Sequence, residues 1–127
     1  IIVRGICTLV PNKKHSKNIR LIRIIDRFLE HDRVFIFHNK GKEIVYSGSA
    51  DWMRRNLYRR IECVFPITNK KIKKELLDII KIQLNDTVKA RLIGDDMTNK
   101  RIQRAGIPIR SQSAIYDYLV EKDEKPK

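Results

Sequence analysis

The sequence predicts an α/β domain built on a central mixed sheet flanked by helices, and three observations predict it. Short β-branched and aromatic runs recur along the chain, Val34-Phe35-Ile36-Phe37 being the clearest. Turn residues separate them, as Lys40-Gly41-Lys42 does before the run that starts at Glu43. One long segment places Ile72, Leu76, Ile79, Ile80 and Leu84 at helical spacing, so they share a face.

The elements follow in order. Residues 1–3 read as a short buried strand ending at Arg4-Gly5, and residues 11–18 as a polar, Lys-rich loop. Residues 19–25 (IRLIRII) fit a strand or the start of a helix, and periodicity leaves both open. Residues 26–31 read as a short helical turn. Residues 33–38 form a strand, and residues 43–47 return beside it as a hairpin. Ser49 or Asp51 caps a short helix through Leu57. Residues 60–65 make another strand, stopped by Pro66.

Thr68 or Asn69 caps the main helix. Lys70, Lys71, Lys73 and Lys74 crowd its first turn, where the helix dipole disfavours cations by up to about 1 kcal/mol. A solvated face is the preferred reading of them over phosphate binding. Residues 88–93 read as a strand and residues 95–108 as an irregular basic loop carrying Lys100, Arg101 and Arg104. Ser111 or Ser113 caps a last helix through Glu121. The organisation is one domain over residues 1–121, then a polar tail over residues 122–127.

The chain has 127 residues, with 28 Lys and Arg against 15 Asp and Glu, a formal charge of +13. Such an imbalance attracts polyanions: nucleic acid, an anionic membrane surface or inorganic phosphate chains. Cys7 and Cys63 lie far apart with no Cys-x-x-Cys pair, so a zinc site is not expected. Both sit in apolar runs and are expected to be buried, reduced thiols, which points to a reducing compartment. The expected location is cytoplasmic, with membrane association of a longer parent chain left open. No apolar stretch approaches the ~20 residues that span a bilayer. The chain opens on Ile1-Ile2-Val3, inside an apolar run, and so reads as a piece of something longer.

Of the three histidines, His15 sits in the Lys-rich loop and His38 at a strand end. His31 is two residues before Arg33; if the strand extends back, His31, Arg33 and Phe35 share one face. An imidazole beside a guanidinium suits an anionic phosphate, the first moving a proton and the second neutralising charge. A buried carboxylate, Glu62, is the expected orienter of the His31 ring. Arg55, Arg59 and Arg60 are further candidates to line a polyanion path; as surface ion pairs they would contribute little. The His-x-basic pair followed by Gly48-Ser49 resembles one half of a phospholipase D-type site, although Arg33 stands where that superfamily usually has Lys.

Longer strings carry a more specific likeness. They are Val3-Arg4-Gly5-Ile6-Cys7, Asn18-Ile19-Arg20, Asp26-Arg27-Phe28-Leu29-Glu30-His31-Asp32-Arg33, Phe37-His38-Asn39, Ser49-Ala50-Asp51-Trp52-Met53-Arg54-Arg55-Asn56-Leu57, Asp86-Thr87-Val88-Lys89-Ala90-Arg91 and Gln112-Ser113-Ala114-Ile115-Tyr116-Asp117-Tyr118. Together they resemble the last domain of the bacterial polyphosphate kinase family, from Ile1 to about Leu119. The resemblance implies a phospholipase D-like half domain, truncated at its N-terminus. It implies an enzyme that moves the terminal phosphoryl of ATP reversibly onto polyphosphate. Its phosphohistidine lies on a preceding domain, its Mg²⁺ is bound elsewhere in the full-length chain, and the isolated fragment is inactive.

The resemblance assigns Arg4 to nucleotide phosphates and His31 to the same site, with Arg33 beside it and no metal ligand on this chain. Its expected partners are ATP or ADP, inorganic polyphosphate, the remaining domains of the parent chain and further copies of it. No specific nucleic acid is expected, because Trp52, Tyr58, Tyr116 and Tyr118 are assigned to the core rather than to base stacking. The alternative is a basic nucleic-acid-binding module or half of a phospholipase D-type nuclease; a domain that supplies only oligomer contacts is a third reading. Two departures from the family pattern, Arg54 for Pro or a small residue and Lys40 for Gly, bear on local turn geometry alone.

Overall fold

The computed structural model describes residues 1–11 and 14–124; parts of the expected Lys-rich loop and polar tail lie outside the described residues. The chain divides into two compact units, one made of Ile1–Leu29 with Ile79–Lys127, the other of Glu30–Asp78. Each is an α/β arrangement in its own right.

The first unit holds a four-stranded mixed sheet in the order β1-β2-β6-β7. Strands β1 (Ile2–Val3) and β2 (Ile22–Ile24) are parallel, while β6 (Ala90–Ile93) and β7 (Asn99–Arg101) continue antiparallel. The β-branched run at residues 19–25 therefore contains a strand, Ile22–Ile24, rather than the start of a helix. The residues expected to form an irregular loop contain β7, which the basic Asn-Lys-Arg sequence concealed because it has no apolar alternation to reveal it. Ile22, Ile24 and Ala90 form the core of this sheet, with Ile2 and Ile102 against them.

Two ties hold the sheet to helix α3 (Ser111–Asp123). Asp86 is 1% exposed, and its carboxylate accepts the backbone N–H groups of Lys89 (2.7 Å), Ala90 (2.9 Å) and Ser111 (2.7 Å). Burial pushes its pKa up, and these amide donors outweigh burial and hold it below the usual carboxylate range. The second tie is Asp26. It accepts Arg110 Nε at 2.7 Å and Nη2 at 2.6 Å, as well as the N–H of Arg27 at 2.8 Å. The Arg110 hydrogen bonds lower its pKa to about 2. A carboxylate depressed in the folded state contributes stability that is whole above the unfolded value, ~3.9, and is lost as the pH falls towards the folded one. Acid unfolding followed by circular dichroism should therefore show a stability loss between about pH 4 and pH 2 that Asp26→Asn reduces.

In the second unit the predicted hairpin is present. Strand β3 (Val34–Phe37) pairs antiparallel with β4 (Ile44–Gly48), and β4 with β5 (Val64–Pro66). The turn is a 3₁₀ segment, Asn39–Gly41, in which Asn39, Lys40 and Gly41 all have positive φ. Lys40, at φ 54°, occupies the left-handed region that Gly adopts without steric cost. The expected strand over residues 60–65 is shorter and starts at Val64; it ends at Pro66, its last residue, at the sheet edge.

Helix α1 (Arg54–Arg59) begins later than expected, after Met53, and neither Ser49 nor Asp51 caps it. Both side chains are engaged elsewhere, as described below. Arg54 is the first helical residue, the position where Pro fits a helix best. Helix α2 (Lys70–Leu84) is capped by Asn69, whose Oδ1 accepts the N–H groups of Lys71 (2.9 Å) and Ile72 (3.2 Å). In its Lys-rich first turns, Lys73 donates to the Glu43 carbonyl and Lys74 pairs with Asp78 at 2.7 Å. The second unit ends within this helix, at Asp78.

Three further expectations are corrected. Cys7, four residues beyond β1, is half-buried, and Cys63, directly before β5, is exposed; both are free thiols. Trp52 and Tyr58 are each 79% exposed and Tyr116 is 69% exposed, so none of the three is core. Helix α3 starts at Ser111 without a side-chain cap and runs to Asp123, two residues into the expected tail. No helix among the described residues is long and apolar enough to cross a membrane.

Candidate phosphate site

Arg33 organises the site in the second unit. Its backbone carbonyl accepts the Gly48 N–H at 3.1 Å, which carries the β3–β4 ladder one residue beyond the strand. Its side chain then spans two groups. Nε donates to Asp51 Oδ1 at 2.9 Å, and Nη2 lies 2.8 Å from Nε2 of His31, while Nη1 reaches the His31 carbonyl at 3.3 Å. His31 itself is exposed and precedes the strand.

This geometry fixes the tautomer of His31. A guanidinium has only donors, so Nε2 of the ring is the acceptor and the proton of the neutral imidazole is on Nδ1. Asp51 balances the charge. The Arg33 hydrogen bond holds its carboxyl below the usual range, and Asp51 in turn raises the pKa of Arg33.

Glu62, expected to be a buried orienter of His31, has a different task. It is half-buried, and its oxygens accept Ser49 Oγ and Asn56 Nδ2, the latter at 2.7 Å. Those two donors, Ser49 first, lower its pKa. The Ser49 hydroxyl also accepts the Cys63 N–H at 3.1 Å. Glu62 therefore ties the Gly48-Ser49 turn to α1, and no hydrogen bond joins it to His31. Gly48 makes the tie feasible: a Cβ there would lie 2.7 Å from the Cys63 carbonyl oxygen. The carboxylate of the His31 group is Asp51, which its place after a Gly-Ser turn disguised as a helix cap.

Arg4 belongs to the first unit and is half-buried after β1. Its Nη1 donates to the Phe28 carbonyl at 3.1 Å. Gln112, on α3, holds both backbone groups of the same residue: Nε2 donates to the Phe28 carbonyl at 2.8 Å and Oε1 accepts the Phe28 N–H at 3.0 Å. Gln112 was legible only as part of a family string, because a lone Gln has no spacing signature. Arg4 and His31 lie in different units. Among the described residues, no group of three or more His, Cys, Asp or Glu side chains is arranged to hold a metal ion.

Residues 1–112 match the family model described as polyphosphate kinase C-terminal domain 2. The chain is 50% identical over 121 residues to a polyphosphate kinase of Escherichia coli (strain K12), covering 94% of this chain and 18% of that protein. It is 52% identical over 126 residues to one of Vibrio vulnificus (strain YJ016), covering 96% of this chain and again 18% of the relative. The crystal structure of a polyphosphate kinase from Porphyromonas gingivalis superposes with a TM-score of 0.93 at 48% identity, over 97% of this chain and 19% of that one. The chain thus spans about a fifth of the length of the relatives it matches, and it belongs to the polyphosphate kinase C-terminal domain 2 family.

Proposed function

We propose that this chain forms part of an ATP–polyphosphate phosphotransferase, in which Arg4 binds nucleotide phosphate and His31 serves the transferring group. The observation that carries the reading is the Asp51–Arg33–His31 chain of contacts within a polyphosphate kinase family domain. Phosphoryl transfer depends on positioning and on neutralising charge at the moving group. Arg33 supplies positive charge and holds the imidazole by Nε2. The neutral ring then presents its Nδ1–H as a hydrogen-bond donor to a phosphate oxygen; passing a proton to that oxygen requires the imidazolium, with its Nε2–H turned from Arg33. Proton transfer or electrostatic support is the role assigned to His31, rather than phosphorylation of His31 itself.

The phosphohistidine that accepts the phosphoryl group belongs, on this reading, to a segment outside this chain, as does Mg²⁺. The protein is read as cytoplasmic and its full-length form as a homo-oligomer. The family resemblance assigns Arg4 to nucleotide phosphates, and its single carbonyl partner leaves most of its donor fork available for them. Charge-assisted hydrogen bonds contribute about 1.5–3 kcal/mol, so Arg4→Gln in the full-length protein should weaken ATP binding roughly 10- to 100-fold. Calorimetric titration with ATP checks this, and unchanged affinity would remove Arg4 from the site.

Exposed Trp52, Tyr58 and Tyr116 remove the argument from aromatics against nucleic acid. What favours polyphosphate is the family alone, and competition between polyphosphate and single-stranded DNA separates the two readings.

A further inference from the structure

The two faces of the first unit's sheet differ in kind. Ile22, Ile24 and Ala90 point to the core. The alternate residues point the other way, and there the strand register sets arginines in line: Arg23 pairs with Arg91, and Arg91 with Arg101. Side chains directly opposite one another on paired strands share a face. At ~4.8 Å per strand the row spans roughly 10 Å, wider than a single phosphate group.

A concavity of about 320 Å³ opens on this face, lined by Arg23, Ile25, Lys89, Arg91 and Asn99. Its cations are poorly compensated. Arg23 donates to Asn99 Oδ1 at 3.1 Å and to the Gly5 carbonyl at 3.5 Å, and its Nε is buried with no hydrogen-bond partner. Among the described residues Arg91 donates only to the carbonyls of Val88 (3.2 Å) and Ala90 (2.9 Å). Lys89 shares Asp26 at 3.6 Å, but among the described residues no carboxylate pairs with Arg23, Arg91 or Arg101. Three like charges on neighbouring strands repel one another, and like charges directly opposite destabilise a sheet. An anion across the row would reverse that cost. The contact of Arg23 with Gly5 also joins the row to the residue that follows Arg4.

We propose that the Arg23–Arg91–Arg101 row is a track for a linear phosphate chain, distinct from the nucleotide contact assigned to Arg4. Guanidinium forks pair bidentately with phosphate oxygens, and a chain of several phosphates is long enough to lie across the three strands. The proposal rests on the polyphosphate reading above and extends it from one arginine to a surface.

The test uses the full-length protein and three probes: long-chain polyphosphate, tripolyphosphate and ATP. In the double variant Arg91→Gln/Arg101→Gln, affinity for the long chain should fall about tenfold or more, while ATP affinity stays within about twofold. The fall for tripolyphosphate should be smaller. The log–log salt dependence of long-chain binding should become shallower by roughly 1.4, about 0.7 for each lost contact. Arg91→Lys/Arg101→Lys should recover part of the affinity. Should the double variant fail to fold, Arg101→Gln alone is the arbiter, since β7 is exposed throughout. It should lose several-fold in long-chain affinity at an unchanged melting temperature.

Long-chain binding equal to wild type would overturn the track and leave the proposed function standing. An equal loss for ATP and for the long chain would assign the row to the nucleotide and overturn it likewise. Absence of polyphosphate binding by the wild-type protein would overturn the functional reading itself, and the track with it.

Discussion

Replacing His31 with alanine in the full-length protein is expected to lower polyphosphate synthesis by about 10²–10⁴-fold, the usual contribution of a positioned acid or base. The melting temperature should hardly move, because His31 is exposed and its ring contacts only the Arg33 fork. ATP affinity should change little, so the loss falls on kcat. Arg33→Lys gives a second readout. Lysine keeps the charge but has no fork to hold Asp51 and the ring together, so the rate should drop. Wild-type turnover in His31→Ala would remove the imidazole from the mechanism and leave Arg33 with Asp51 as a structural pair.

The largest expected effect on stability belongs to Asp86→Ala. One buried carboxylate satisfies three backbone N–H groups, those of Lys89 and Ala90 at the head of β6 and that of Ser111 at the head of α3. Alanine leaves all three without an acceptor, and each buried unsatisfied donor costs about 1–3 kcal/mol. A destabilisation of roughly 3 kcal/mol or more follows, and a melting temperature lower by about 10 °C in a domain of this size. Thermal denaturation checks it. A shift below about 2 °C would mean that water replaces the carboxylate and that the tie is dispensable.

Local pattern made the hairpin and the main helix readable. Val34 to Phe37 alternate against Ile44 to Ser47 across a turn with glycine, and Asn69 sits directly before a helical apolar repeat. Edges were less legible. β7 is polar throughout, and its only signature is its pairing with β6, which lies in tertiary structure. The division into two units was equally hidden, since the first unit gathers both ends of the chain around the β2–β6 pairing.

At the site, His31 and Arg33 were found because residues two apart in sequence are also close in space. Their carboxylate was misread. Asp51 and Glu62 both lie downstream in polar turns, and nothing in composition tells which of them reaches back to Arg33. Ser49 and Asn56 decide the matter by occupying Glu62. The arginine row escaped notice for a related reason. Arg23, Arg91 and Arg101 are remote in sequence and share a face only through the strand register.

The placement of Pro66 bears on how the three-stranded sheet stays separate from its neighbours in a crowded solution. Amides alternate in direction along a strand, and Ile67 turns its N–H inward to the Val45 carbonyl at 2.8 Å. The nitrogen of Pro66 therefore faces outward, where it has no hydrogen to offer an incoming strand. Val64 and Phe65 leave β5 half-exposed and apolar, the composition that invites edge-to-edge association. A ring that would break an inner ladder here guards the rim against aggregation, at no loss to the pairing with β4.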